Sequence, residues 1–94
     1  MSRFYVIARN NEQARHWINS NRVWDTEFNN KYPNSSDVRI VTHSLQLRGV
    51  NVEHGILLSG WKEIPDIKEI LFLAMINNQG TNPILKKAYE EVEQ

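Results

Sequence analysis

The chain has 94 residues, with 11 Lys and Arg set against 11 Asp and Glu, and no cysteine. That length suits one domain that buries somewhat over ~60% of its unfolded surface, and the balanced charge provides neither a basic field to hold a phosphate backbone nor an acidic one to mimic it. Without cysteine there is no disulfide framework, thiolate metal site or cysteine nucleophile, which fits a reducing compartment.

Phe4-Tyr5-Val6-Ile7-Ala8 is a continuous apolar run rich in aromatic and β-branched residues, the pattern of a central strand buried on both faces. Asn10 and Gln13 have capping-box spacing and predict a helix from Asn11 to about Asn21, because an N-cap side chain accepts from a free N–H of the first turn. Ala14, Trp17 and Ile18 give that helix one narrow apolar face, with Trp17 as its anchor. Residues 24–37 turn to Asn, Ser, Lys and Pro with Trp24, Phe28 and Tyr32 interleaved. Trp24 and Phe28 suit one face of a helical turn reaching Asn30, and Pro33-Asn34-Ser35-Ser36 reads as a turn.

Arg39-Ile40-Val41-Thr42, preceded by Val38, predicts a second strand, and Val52 to Ser59 a third, ended by Gly60 or Trp61. Between them Gly49 is expected to close a turn of helix over Leu45 and Leu47. Asp66 and Glu69 have capping-box spacing behind Pro65 and predict a helix to about Asn78. Its run Ile70 to Ile76 is apolar on every face, so something must cover both sides. The last helix offers that cover, with Asn82 as cap, Pro83 in first position and a stripe of Ile84, Leu85, Ala88 and Val92. Its acidic final turn, Glu90-Glu91-Val92-Glu93, predicts fraying.

The expected fold is therefore a single α/β domain over 1–94: a small, mainly parallel three-stranded sheet in β-α-β-β-α-α order, flanked by helices, with an aromatic and Asn-rich insertion at 24–37. A secretory signal is not expected, since Met1-Ser2-Arg3 leads into only five apolar residues before Arg9. The seven-residue run Ile70 to Ile76 falls far short of a bilayer span, which takes roughly 20 residues. A cytoplasmic protein is expected, with no membrane partner.

Ligands of open parallel sheets bind beyond the C-terminal strand ends, here Ala8 to Asn11, Thr42 to Ser44 and Ser59 to Lys62. Ala8-Arg9-Asn10-Asn11-Glu12 has no glycine and no phosphate-loop lysine, so the wrap around an anion that such loops need is missing. Arg9, Asn10 and Asn11 with His43 remain a candidate anion site, against the plainer reading of a solvated arginine beside an ordinary cap. His16, His43 and His54 have no metal-ligand spacing, and Asp25, Glu27, Asp37 and Glu53 read as solvated or cross-strand carboxylates. No catalytic constellation, cofactor or metal is expected. Arg48-Gly49 places a basic residue at a turn, with Arg39 near the opposite strand end. Trp24, Phe28 and Tyr32 would stack bases if Arg22 and Lys31 lay alongside, or pack at the core edge as aromatics commonly do. Phe72, Met75 and Ile76 form a dimer or partner face if the last helix covers one side of its neighbour, and are buried if it covers both.

Ala8-Arg9 with Glu12-Gln13-Ala14, then Leu47-Arg48-Gly49, Gly60-Trp61, Pro65-Asp66 and Glu69-Ile70, form an order that resembles a loose group of small tailed-phage proteins. These look like minimal relatives of the P-loop fold without its phosphate loop. The likeness spans Phe4 to Ile76 apart from Trp24 to Asp37. It implies a phage-encoded, cytosolic, non-catalytic accessory protein and carries over no catalytic residue; such proteins often act by binding a host enzyme or defence component. The function expected first is thus a protein-binding module, an accessory protein or inhibitor, using Trp24, Phe28, Tyr32 and Lys31. Two alternatives stand beside it: a small-ligand or nucleotide-binding domain at the first turn, and, disfavoured by the charge balance, a nucleic-acid accessory protein.

Overall fold

The computed structural model describes residues 3–47, 52, 54–78 and 83–93. Three parallel strands, β1 (Phe4–Ile7), β2 (Val38–Val41) and β3 (His54–Leu57), form one sheet in the order β2-β1-β3. Phe4 lies opposite Val38 and His54, and Ile7 opposite Val41 and Leu57. The ladder runs one step further, since Ala8 N–H donates to Val41 C=O at 3.0 Å and Leu58 N–H to Ile7 C=O at 2.9 Å. Four helices flank it: α1 (Asn11–Trp24), α2 (Thr26–Lys31), α3 (Ile67–Asn78) and α4 (Pro83–Glu93).

The central strand is apolar throughout because the pleat sends alternate side chains into two separate cores. Val6 and Ala8 pack with Ala14, Phe28, Tyr32 and Val38 under α1 and α2, with Phe4 and Trp17 at the margin. Tyr5 and Ile7 pack with Val41, Leu47, Ile70, Leu71, Leu85 and Ala88 under α3 and α4. The result is a three-layer α/β sandwich. Gly55 fits β3 tightly against the central strand: a Cβ there would stand 2.7 Å from the Tyr5 carbonyl oxygen, a contact that backbone cannot relieve.

Local signals account for most element starts. Asn10 Oδ1 accepts from Gln13 N–H at 2.8 Å, as the spacing requires. The reciprocal half of the box is replaced by a tertiary bond, Gln13 Nε2 donating to Ser59 C=O at 2.8 Å, which ties α1 to the end of β3. Asp66 likewise precedes α3, but its Oδ2 accepts from Ser44 N–H at 2.7 Å, so it anchors the β2–β3 connection where a cap on Glu69 was expected. That connection is a 3-10 turn, Ser44–Leu47, which drops Leu47 into the core. Gly60 has φ 83°, in the left-handed region, and turns the chain from β3 into a second 3-10 turn, Trp61–Glu63.

The main departure is at 24–37. Helix α1 continues past Asn21 to Trp24, and α2 starts at once, with Asp25 closing one helix and capping the next: its N–H donates to Asn21 C=O at 2.8 Å, and its Oδ1 accepts from Phe28 N–H at 3.0 Å. The break turns Trp24 away from Phe28, so the two do not share a face; Trp24 is 85% exposed, and Phe28 and Tyr32 are each 7% exposed. Phe28 and Tyr32 of this segment belong to one of the two cores. After it, Asn34 N–H donates to Asp37 Oδ2 at 3.1 Å and closes the 3-10 turn Ser35–Asp37 into β2. The turn expected at Gly49, the arginine at 48, the carboxylate of Glu53 and the cap at Asn82 lie outside the described residues.

Candidate functional site

The C-terminal strand ends, where a parallel sheet usually takes its ligand, are closed by bonds within the protein. Arg9 Nη1 lies 2.9 Å from Glu63 Oε2, an exposed ion pair, and lies over Gly60, where a Cβ would come within 2.8 Å of Arg9 Cδ. Asn10 spends its side-chain oxygen on the cap of α1. His43 is exposed, and its N–H, like that of Thr42, donates to Gln46 Oε1, at 3.2 and 2.7 Å. Asn11 opens α1 on the exposed side. The four candidate anion ligands therefore follow the C-terminal ends of β1 and β2, but Arg9 is paired with Glu63 and Asn10 is occupied by the cap.

The aromatic segment is more informative. Phe4, Trp17, Phe28 and Tyr32 form one ring cluster: Phe4 stacks on Trp17 at 5.8 Å, and Phe28 stands edge-on to Phe4 at 5.4 Å and to Trp17 at 5.7 Å. Arg22 covers the cluster, its guanidinium 5.3 Å from the Phe28 centroid. The same guanidinium donates to Asn29 Oδ1 at 3.2 Å, to the Tyr32 carbonyl and to Asn34 C=O at 3.2 Å. Asn29 Nδ2 returns a bond to Arg22 C=O at 2.6 Å. A cation for base stacking was one expectation for Arg22; it is a clasp joining α1, α2 and the loop into β2.

Beside this cluster lies an open cavity of about 610 Å³ at the N-terminal ends of β1 and β3, opposite the end where sheet ligands usually bind. Its apolar walls come from Phe4, Phe28, Tyr32, Ile56 and Ile84. Asp25, Glu27, Lys31 and His54 supply polar wall groups, and Lys31 Nζ stands 3.7 Å from Glu27 Oε1 one helical turn earlier. Trp24, the residue before Asp25 in the chain, does not line the cavity. Phe28 and Tyr32, named with Trp24 and Lys31 as contact residues, thus give the cavity an edge while their bulk serves the core. His54, Gly55 and Ile84 are the wall residues that sequence reading missed, because each comes from an element distant in the chain.

On the opposite layer, α3 buries Ile70, Leu71 and Ala74 but leaves Phe72 47% and Ile76 54% exposed, with Met75 partly buried between them. Helix α4 covers one side only, reaching Phe72 through Tyr89 at a ring distance of 6.4 Å. The alternative of full burial does not hold.

Among the described residues no group of three His, Asp or Glu side chains could hold a metal ion. None of their helices is long and apolar enough to cross a membrane. The fold and its surfaces define a small three-layer α/β domain with a parallel sheet. No family model matches the chain, and neither a curated protein nor a solved structure matches it.

Proposed function

We propose that this chain is a non-enzymatic binding module that receives a segment of another protein at the N-terminal end of its sheet, with Trp24 as the anchor. One observation carries the reading: an open cavity walled by Phe4, Phe28 and Tyr32 bears charged groups of both signs, and Trp24, the residue before its wall residue Asp25 in the chain, is 85% exposed. Exposed tryptophan is costly in water and is the residue type that most often dominates an interface. An apolar side chain of the partner enters between Phe28 and Ile84, while Asp25, Lys31 and His54 meet its backbone and polar neighbours. The resemblance to small tailed-phage proteins supplies the setting, an accessory protein or inhibitor that engages a host factor, and that part of the proposal rests on the resemblance alone.

The test separates contact from packing. Trp24→Ala should abolish capture of the partner that the tagged wild-type chain retains from infected cells, with stability within about 0.5 kcal/mol of wild type. Phe28→Ala should instead cost about 3–5 kcal/mol, because it empties the ring cluster. Undiminished capture by the Trp24 variant would overturn the proposal. The alternative of a nucleotide site at the first turn predicts heat on titration with a nucleotide; the Arg9–Glu63 pair and the capping role of Asn10 weigh against it. A nucleic-acid role predicts affinity falling steeply with salt. A second reading, a homodimer through α3, is favoured by the exposure of Phe72 and Ile76.

A further inference from the structure

A second cavity, of about 350 Å³, lies at the β2 edge on the side of the sheet that faces α3 and α4. The register pairs Tyr5 with Arg39 across β1 and β2. Arg3 lies two residues before Tyr5, so strand alternation sends Arg3, Tyr5 and Arg39 to the same face. All three line the cavity, together with Ile40, Val41 and Gln46. Among the described residues no Asp or Glu lines it. The ion pairs among the described residues are Arg9 with Glu63, Lys31 with Glu27 and Lys62 with Glu91, so Arg3 and Arg39 bring to one concavity two guanidinium groups with no ion-pair partner among the described residues, in a chain whose formal net charge is zero.

Gln46 adds direction. Its Oε1 accepts from Thr42 N–H, Thr42 Oγ1 and His43 N–H at 2.7, 3.4 and 3.2 Å, which saturates the acceptor and leaves the amide N–H groups as its remaining function. The cavity is thus lined by donors: two planar forks suited to bidentate oxyanion contacts, an amide and a phenol. Its volume falls within the ~300–1,000 Å³ typical of small-molecule sites.

We propose that Arg3, Arg39, Tyr5 and Gln46 form a binding site for a small oxyanion, a phosphate monoester or a carboxylate. It is separate from the aromatic cavity, which lies at the β3 side of the sheet, and from the turn at Arg9, whose guanidinium is already paired with Glu63. The ligand is held by charge and bidentate geometry; the cavity offers no exposed ring for stacking a base, since Tyr5 is part of the core.

Inorganic phosphate titrated into the isotope-labelled full chain at constant ionic strength, with chloride as the replaced ion, tests the site by nuclear magnetic resonance. Saturable shifts should appear at the Arg3 and Arg39 Nε–H and the Gln46 side-chain amide, and not at Arg9. Succinate in place of phosphate, run as a parallel arm, tells whether a carboxylate serves equally well. Arg39→Gln should weaken binding at least about tenfold, the order expected for losing one bidentate charged contact. Lys68→Gln, which removes the same charge from an exposed position on α3, should leave it unchanged. Arg3→Gln carries the same expectation and lies ahead of β1, so it keeps the test usable if the strand variant folds poorly. Non-saturating shifts with both anions, or wild-type affinity in both arginine variants, would overturn the site.

Discussion

Asp66 meets opposing influences. Burial raises its pKa, but the N–H and hydroxyl of Ser44, its own backbone N–H and the charge of His43 together lower it further, so the carboxyl titrates below its ordinary value. A folded-state pKa below the unfolded one stabilises the protein above the unfolded value of ~3.9 and ceases to do so as pH falls through the folded value. Urea denaturation between about pH 7 and pH 2.5 should therefore show wild-type stability falling more steeply than that of Asp66→Asn below about pH 4, with the variant about 1 kcal/mol less stable at neutral pH. Parallel curves would mean that the Ser44 contact contributes nothing. At this scale the sequence identified the residue but not its partner: Asp66 with Glu69 three positions on has the spacing of a capping box, and no local pattern points to Ser44, which lies 22 residues away. Trp24 and Phe28 differ in the same way. Both are large aromatics in a polar stretch, and only the break at Asp25 decides that one is buried and the other exposed.

Among elements, the α1–α2 junction rests on few atoms. Asp25 both ends α1 and caps α2, and Arg22 holds the far end of α2 through the Tyr32 and Asn34 carbonyls. A six-residue helix is far too short to persist alone, given the cost of nucleation. Asp25→Ala should cost about 0.5–2 kcal/mol, with hydrogen-exchange protection lost over residues 26–32 and retained in the first three turns of α1. Uniform loss of protection across both helices would show instead that they form one cooperative unit. If Trp24 is a partner's anchor, this variant should also weaken capture, since the turn that displays Trp24 is no longer held. A helical turn reaching Asn30 was legible in the sequence, but α1 was expected to end near Asn21, and Asp25 was not read as the cap that ends one helix and starts the next.

The whole molecule is a sheet covered on both faces, with one helix, α3, more apolar than its coverage requires. Phe72 and Ile76 remain about half exposed, and a second copy of the chain is the partner a single symmetric patch most readily takes. Sedimentation should then show a concentration-dependent dimer, and Phe72→Glu should return it to monomer without altering the fold; a monomer at every concentration would remove the reading. Sequence by itself determined the α/β class, the centrality of Phe4–Ile7, the cap at Asn10 and the helix after Asp66, because each follows from side-chain period or spacing within one or two turns of chain. Tertiary structure alone decided what those elements place together. The parallel register brings Arg39 beside Tyr5, and the return of α4 sets Ile84 against the cavity that holds Phe28. The physical reason is range: hydrogen-bond caps and amphipathic periods are local, whereas which charges face an empty space depends on strand order and on which side of the sheet each crossover lies.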